Sequence, residues 1–149
     1  MAGTLAVAES LTGGALAAEI VSVPGASQVF RGGLVLYAAD LKTALAGVPA
    51  ALLGERGPVD PDVATAMADG ARVRCGAVWG VATTGVAGPE SHGGQPVGTV
   101  WLGLAGPDGA AAQRLRLPGD RAEVRAGAVR AALRLLGERL GGREGDNVW

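Results

Sequence analysis

One cysteine, Cys75, and one histidine, His92, are all that the chain offers of the softer metal ligands. A zinc site of histidines and cysteines or an iron–sulfur cluster needs several such groups, so both are excluded, and no disulfide can close within the chain. Aromatic residues make up only 3% of the 149, with a single Tyr37 and a single Phe30, so the core must be aliphatic and packed with alanine. Lysine is nearly absent. Of 13 basic residues only Lys42 is lysine, the others being arginine. The net charge of -1 leaves no basic footprint for direct nucleic-acid binding. No apolar run approaches the roughly 20 residues of a membrane span, because Glu19, Asp40 and Arg56 interrupt the candidates. The first residues carry no basic flank before their apolar stretch and make a poor signal peptide. A cytoplasmic protein without a membrane partner is the expectation.

What is present is alanine, glycine and a regular alternation of element types. With 48% hydrophobic and 18% charged residues, the chain has the composition of a folded domain rather than a disordered one. Its length suits one domain of about 100–200 residues, expected over 3–140, with 141–149 as a loose tail. Residues 4–8 form an apolar run that ends in Glu9-Ser10-Leu11-Thr12-Gly13-Gly14, and 15–21 read as a helix with Leu16 and Ile20 on one face. After Pro24-Gly25, a second apolar run covers 34–37 and a helical stretch 40–46. Asp60-Pro61-Asp62 is a helix start, with an aspartate to cap, a proline at the first position and another acid in the first turn. That helix closes near Arg72, Arg74 and Gly76.

A third apolar run covers 77–83 and leads into Thr84-Gly85-Val86-Ala87-Gly88-Pro89. A polar loop, 90–95, precedes a fourth strand at 98–104. The turn residues Pro107-Asp108-Gly109 predict a hairpin partner at 112–117. Asp120-Arg121-Ala122-Glu123 has the form of a capping box, opening a long helix whose apolar stripe is Val129, Leu133, Leu136 and Leu140. Strands alternating with helices imply a layered α/β fold, and the hairpin makes its sheet mixed.

Three loops share one design, small and hydroxyl residues following an apolar run: 9–14, 37–42 and 83–89. In an α/β sheet ligands gather beyond the carboxyl ends of the strands, so these loops are expected to converge. Thr12-Gly13-Gly14 opens a helix, where free backbone N–H groups suit an anion or oxyanion. Ser10 is a candidate nucleophile if a base takes its proton. Two bases are available by residue type: His92, in a glycine-rich loop, and Lys42, provided burial or neighbouring cations lower its pKa from about 10.4. Tyr37 precedes Lys42 by one helical turn or so and is a candidate proton relay. Neither standard glycine-rich nucleotide fingerprint is present.

Ala8-Glu9-Ser10-Leu11-Thr12-Gly13-Gly14 resembles the A-E-S-C-T-G-G motif of the CinA C-terminal domain family. The resemblance continues through Pro24-Gly25-Ala26-Ser27, Arg31-Gly32-Gly33-Leu34-Val35-Leu36-Tyr37, Thr84-Gly85-Val86-Ala87-Gly88-Pro89, Pro96-Val97-Gly98-Thr99-Val100 and Pro118-Gly119-Asp120-Arg121. It implies a three-layer α/β/α sandwich around a mixed sheet of about five strands. It also implies deamidation of nicotinamide mononucleotide, a small-molecule nucleotide substrate, without metal or cofactor. By the resemblance Ser10 is the nucleophile, and Lys42 and Tyr37 activate it and handle protons. Thr84 and the Gly85 backbone line the site, Arg121 clamps the 5′-phosphate, and Thr12, Gly13 and Gly14 offer backbone donors to the oxyanion.

The chain departs from the family pattern in four places. The family's Y-S-N-x-x-K is Tyr37-Ala38-Ala39-Asp40-Leu41-Lys42 here, with two polar side chains lost. That loss keeps open the alternative of a catalytically weak or inactive pyridine-nucleotide-binding or partner-interaction domain. The cysteine of the first motif is Leu11, and loop 90–95 is shorter than the family's. Family members also carry a helix before the first strand. Here that helix is expected to be missing or the start placed too late, which leaves an apolar sheet face and favours a homo-oligomer.

Overall fold

Every residue of β1 (Leu5–Glu9) is buried, the pattern of a strand covered on both faces at the middle of a sheet. In the computed structural model, which describes residues 3–140, β1 lies between β2 (Phe30–Val35) and β3 (Trp79–Gly85), parallel to both. β4 (Thr99–Gly106) and β5 (Gly109–Arg116) complete the sheet antiparallel, in the order β2-β1-β3-β4-β5. The helices are α1 (Ala15–Val21), α2 (Ala39–Ala46), α3 (Ala50–Arg56), α4 (Pro61–Arg74) and α5 (Arg121–Leu140). The fold is thus the expected α/β one with a mixed five-stranded sheet.

Side chains alternate across β1. Leu5 and Val7 pack with Leu16 and Ile20 of α1 and with Val124, Val129 and Leu136 of α5. Ala6 and Ala8 pack on the opposite face with Ala46 of α2 and with Val63, Met67 and Ala71 of α4. The second face is lined with alanine because α4 lies almost on the sheet backbone. A Cβ built on Gly80 or on Gly103 would fall inside the contact radius of the Ala68 or Ala64 carbonyl of α4. The abundance of glycine and alanine therefore has a structural use: it lets helix and sheet backbones meet.

Local signals account for the element ends. Asp60 Oδ1 accepts from the N–H groups of Asp62 and Val63 at 2.8 and 3.2 Å, capping α4 as expected. At α5 the capping box is reciprocal: Glu123 N–H donates to Asp120 Oδ1 at 2.9 Å and Asp120 N–H to Glu123 Oε1 at 3.2 Å. In the α5 stripe, Val129 and Leu136 are buried and Leu133 is packed against them; the Leu140 side chain and the tail 141–149 lie outside the described residues.

Four expectations are corrected. β2 starts at Phe30, so Gly32 and Gly33 are inside it and Tyr37 falls beyond its end; Gly33 sits there because the Val7 side chain and carbonyl leave no room for a Cβ. β3 runs on to Gly85, past the expected end at Thr83. α3 was not expected, since it is short and buries no residue fully, so it shows no apolar stripe. The expected bare apolar face is confined to the sheet edges: α1 and α5 cover the interior strands on one side and α2 and α4 on the other, while β2 and β5 stay largely accessible, with Val35 51% exposed. At the β5 edge the guanidinium of Arg114 lies 5.9 Å from the Trp101 ring centroid. No described helix is long and apolar enough to cross a membrane.

The close approach of α4 makes a testable contrast between two glycines. Gly103→Ala, which meets the Ala64 backbone, is expected to lower stability by about 2 kcal/mol or more. Gly54→Ala, inside α3 with nothing within 4 Å of the new methyl, is expected to raise it by about 0.5–1 kcal/mol. Urea unfolding of the two variants checks both signs.

Candidate active site

The chain leaves β1 over one face of the sheet to reach β2, and leaves β2 over the other face to reach β3. A crevice opens where such connections diverge, at the carboxyl ends of the adjacent parallel strands β1 and β3. Ser10 is the first residue beyond β1 and is held there by its N–H, which donates to the Thr83 carbonyl at 3.0 Å. The loop then folds on itself, with Gly13 N–H donating to the Ser10 carbonyl at 3.1 Å. Gly13 and Gly14 have φ of 59° and 105°, which only glycine adopts without strain. Thr12 is fully buried, its Oγ1 2.8 Å from Thr83 Oγ1.

Lys42 reaches the same point from α2. Its Nζ lies 3.0 Å from Ser10 Oγ and donates to the Leu36 carbonyl at 2.6 Å. The residue is only 1% exposed, and loss of hydration disfavours the charged ammonium, lowering its pKa to about 8. Of the two bases available by residue type, it is therefore Lys42 that meets Ser10. His92 lines the rim of the cavity, where its backbone pairs with that of Gln95.

Tyr37 stands apart from this pair. It is 64% exposed, and its hydroxyl accepts from Arg121 Nη2 at 3.1 Å. Arg121 Nη1 donates to the Gly88 carbonyl at 2.6 Å, so Arg121 ties α5 to both sides of the rim. Thr84 donates its hydroxyl to the Pro58 carbonyl at 2.7 Å. Gly85 is hemmed in by Thr99 and Val100, with no space for a Cβ. Ser10, Tyr37, Lys42, Thr84, Gly85 and Arg121 all line one cavity of about 630 Å³, within the range of small-molecule sites.

Thr12, Gly13 and Gly14 do not line that cavity. The expected anion site at the start of α1 is already filled, because the Glu9 carboxylate accepts from the Leu16 and Ala17 N–H groups at 2.8 and 3.0 Å. Glu9 is fully buried and does for α1 what a capping side chain does elsewhere. Sequence reasoning gave it no role. The signal was an acid at the inner end of a buried apolar strand, a few residues before a helix start that lacks a Ser, Thr, Asp or Asn cap. Pro58 and Val59, which also line the cavity, had no such signal. Among the described residues no three His, Cys, Asp or Glu side chains gather as a metal cluster.

The two alanines differ in their places. Ala38 is the N-cap residue of α2, with φ -73° and ψ 141° and no capping side chain, whereas Ala39 lines the cavity. The serine of the family motif would thus serve the helix, and the asparagine would face the ligand space.

Fold and site together define an α/β domain with a buried serine–lysine pair at the carboxyl end of β1, an interior strand of its sheet. Residues 2–140 match the CinA C-terminal domain, and the chain belongs to that family. It is 52% identical over 139 residues to a CinA-like protein of Frankia casuarinae, covering 93% of this chain and 32% of that protein. It is 43% identical over 148 residues to a CinA-like protein of Gemmatimonas aurantiaca, covering 97% and 34%. The chain therefore spans about a third of these relatives' length. Among solved structures, a competence-damaged protein (CinA) superfamily protein from Klebsiella pneumoniae superposes with a TM-score of 0.89 at 35% identity, over 92% of this chain and 86% of that one. The competence/damage inducible protein CihA from Agrobacterium tumefaciens gives 0.85 at 36% identity, over 89% and 82%.

Two stability measurements follow from the site. With the Lys42 pKa lowered to about 8, the unfolded chain holds a proton at this residue that the folded protein has lost, from there up to the ordinary lysine value of about 10.4. More protons on the unfolded state means that stability rises with pH across that window. Urea midpoints between pH 7.5 and 10 should therefore climb more steeply for the wild type than for Lys42→Met. Separately, Ala38→Ser should raise the unfolding free energy by about 0.5–2 kcal/mol through a restored cap, an outcome that an unchanged urea midpoint would refute.

Proposed function

We propose that this domain is an amidohydrolase that deamidates nicotinamide mononucleotide to nicotinate mononucleotide and ammonia. The observation that carries the reading is the 3.0 Å approach of Lys42 Nζ to Ser10 Oγ, in a place where burial lowers the lysine pKa to about 8. An amine of that pKa is neutral in a useful fraction of molecules near neutral pH. In that form it can take the serine proton, as a general base should. The family resemblance supplies the substrate.

The chemistry balances with these groups alone. Unprotonated Lys42 takes the Ser10 hydroxyl proton as Oγ bonds to the carboxamide carbon, and the carbonyl oxygen becomes an oxyanion. Collapse of that intermediate breaks the C–N bond, and the Lys42 ammonium gives its proton to the leaving nitrogen, which departs as ammonia. A water molecule then attacks the acyl-serine ester, Lys42 takes its proton, and Ser10 recovers one when the carboxylic acid product is released. Leu36 keeps Lys42 in place throughout, since its carbonyl holds another of the Nζ protons.

The remaining cavity residues suit a nucleotide. Arg121 is a permanent cation on the rim, and its planar fork suits phosphate oxygens. Its bonds to Gly88 and Tyr37 orient that fork, so the role supported for Tyr37 is alignment of Arg121 rather than direct relay to Lys42. Thr84, Gly85 and the following backbone form the wall beside Ser10.

A second reading, a nucleotide-binding domain without turnover, is favoured by one observation: Ala39, where the family motif has asparagine, faces the cavity. The two readings separate in one assay. Purified protein with millimolar nicotinamide mononucleotide should release ammonia, and Ser10→Ala should not. The rate should climb with pH to a half-maximal point near 8, because Lys42 must lose its proton to act. Binding by calorimetry with no ammonia would select the second reading, and restoration of turnover by Ala39→Asn would name the missing group.

A further inference from the structure

Arg125 lies one turn along α5 from Arg121, at the spacing that places two side chains on one helix face. Arg121 reaches the cavity rim, but Arg125 turns to the loop that follows Ser10. Its Nε donates to the Leu11 carbonyl at 2.9 Å, and its Nη2 donates to the Thr12 carbonyl at 3.3 Å. The guanidinium also packs beside Gly13, 3.6 Å from where a Cβ would sit. It thus holds the two residues immediately after the serine, across more than a hundred residues of chain. Among the described residues it is the sole hydrogen-bond partner of the Leu11 carbonyl.

That contact fixes more than a carbonyl. In a trans peptide the C=O and the next N–H point in opposite directions. With Leu11 C=O turned onto Arg125, the Thr12 N–H is turned away from α5. Gly13 N–H is spent on the Ser10 carbonyl, and the α1 N-terminus is spent on Glu9. The Leu11 and Thr12 N–H groups make no hydrogen bond among the described residues, which leaves them as the backbone donors next to Ser10. Donors fixed in advance are what a developing oxyanion requires. The Gly13 N–H bond to the Ser10 carbonyl, the buried Leu11 side chain and the Thr12–Thr83 hydroxyl contact shape the loop, and the guanidinium adds the bond that fixes the direction of the Leu11 carbonyl.

We infer that Arg125 is a positioning residue for the nucleophile loop: by clamping the Leu11 and Thr12 carbonyls it holds Ser10 and the adjacent N–H groups ready for the transition state. It has no contact with the cavity, so it acts on turnover and not on substrate binding. This rests on the reading of Ser10 as a nucleophile, and the test therefore includes a probe of Ser10 that is independent of the amide substrate.

The experiment follows kcat and KM for nicotinamide mononucleotide together with the rate at which a fluorophosphonate labels Ser10, in the wild type, Arg125→Ala and Arg125→Lys. Ser10→Ala serves as the labelling control. Arg125→Ala should lower both kcat and labelling by about tenfold or more, the lower side of what loss of one oxyanion donor costs, with KM unchanged. Arg125→Lys, able to hold one carbonyl, should fall between, and millimolar ethylguanidinium should restore part of the alanine variant's rate. If Arg125→Ala does not fold, Arg125→Lys and Arg125→Gln carry the same comparison. Wild-type kcat and labelling in a variant that merely melts earlier would overturn the inference, as would a raised KM at constant kcat. Labelling that depends on Arg125 in a protein that does not hydrolyse the mononucleotide would sink the amide reading and leave Arg125 in place. Absence of labelling in the wild type would sink both.

Discussion

An amine sealed away from water must either find partners or give up its charge, and Lys42 does some of each. Its Nζ touches the Leu36 carbonyl and Ser10 Oγ, and among the described residues no carboxylate balances it. Hydrogen bonds from two neutral oxygens hold the group in place but do not repay the hydration lost, so the proton is weakly held. Three separate pieces of chain must agree for this to happen. The end of β2 supplies the Leu36 carbonyl, the first turn of α2 supplies the amine, and the end of β1 supplies the serine. Arginine at the same position would keep its proton at any working pH. A chain that otherwise uses arginine, apart from one histidine, for its basic side chains thus has its one lysine at a buried position beside Ser10.

The surrounding architecture serves that meeting point. Because α4 rests on Gly80 and Gly103, the helices lie close to the sheet and the strand ends form a tight edge rather than an open one. Because β1 lies between β2 and β3 and the connections into those two strands cross opposite faces of the sheet, its carboxyl end becomes the crevice. Glu9 and Arg125 act on either side of Ser10 with opposite charges and a similar consequence. The carboxylate takes the N–H groups at the start of α1, and the guanidinium takes the carbonyls of the loop before it. The helix N-terminus is thereby filled by Glu9, and among the described residues Arg121 is the arginine that lines the cavity.

Much of the fold was legible because its signals are local. Leu16 and Ile20 mark one face of α1, Asp60-Pro61-Asp62 marks the start of α4, and Asp120 with Glu123 marks the start of α5; each depends on residues within a turn or two of one another. α3 and the true start of β2 were not legible, for the corresponding reason. α3 buries nothing fully, and the glycines of β2 read as a loop until the approach of Val7 shows why they are in a strand.

The site divides along the same line. Residue types and motif order determined that a serine, a lysine, a tyrosine and an arginine belong to one family pattern, and that the loops bearing them follow strands. They also determined that Lys42 is the chain's one lysine, a base only where burial or neighbouring cations lower its pKa. Only the tertiary structure decided between Lys42 and His92 as the neighbour of Ser10, turned Tyr37 toward Arg121, filled the α1 terminus with Glu9 and brought Arg125 onto the loop that follows Ser10. Those outcomes depend on distances between residues tens of positions apart. Such distances are set by how closely helices and sheet pack, a property of the whole assembled core that no local stretch of sequence contains.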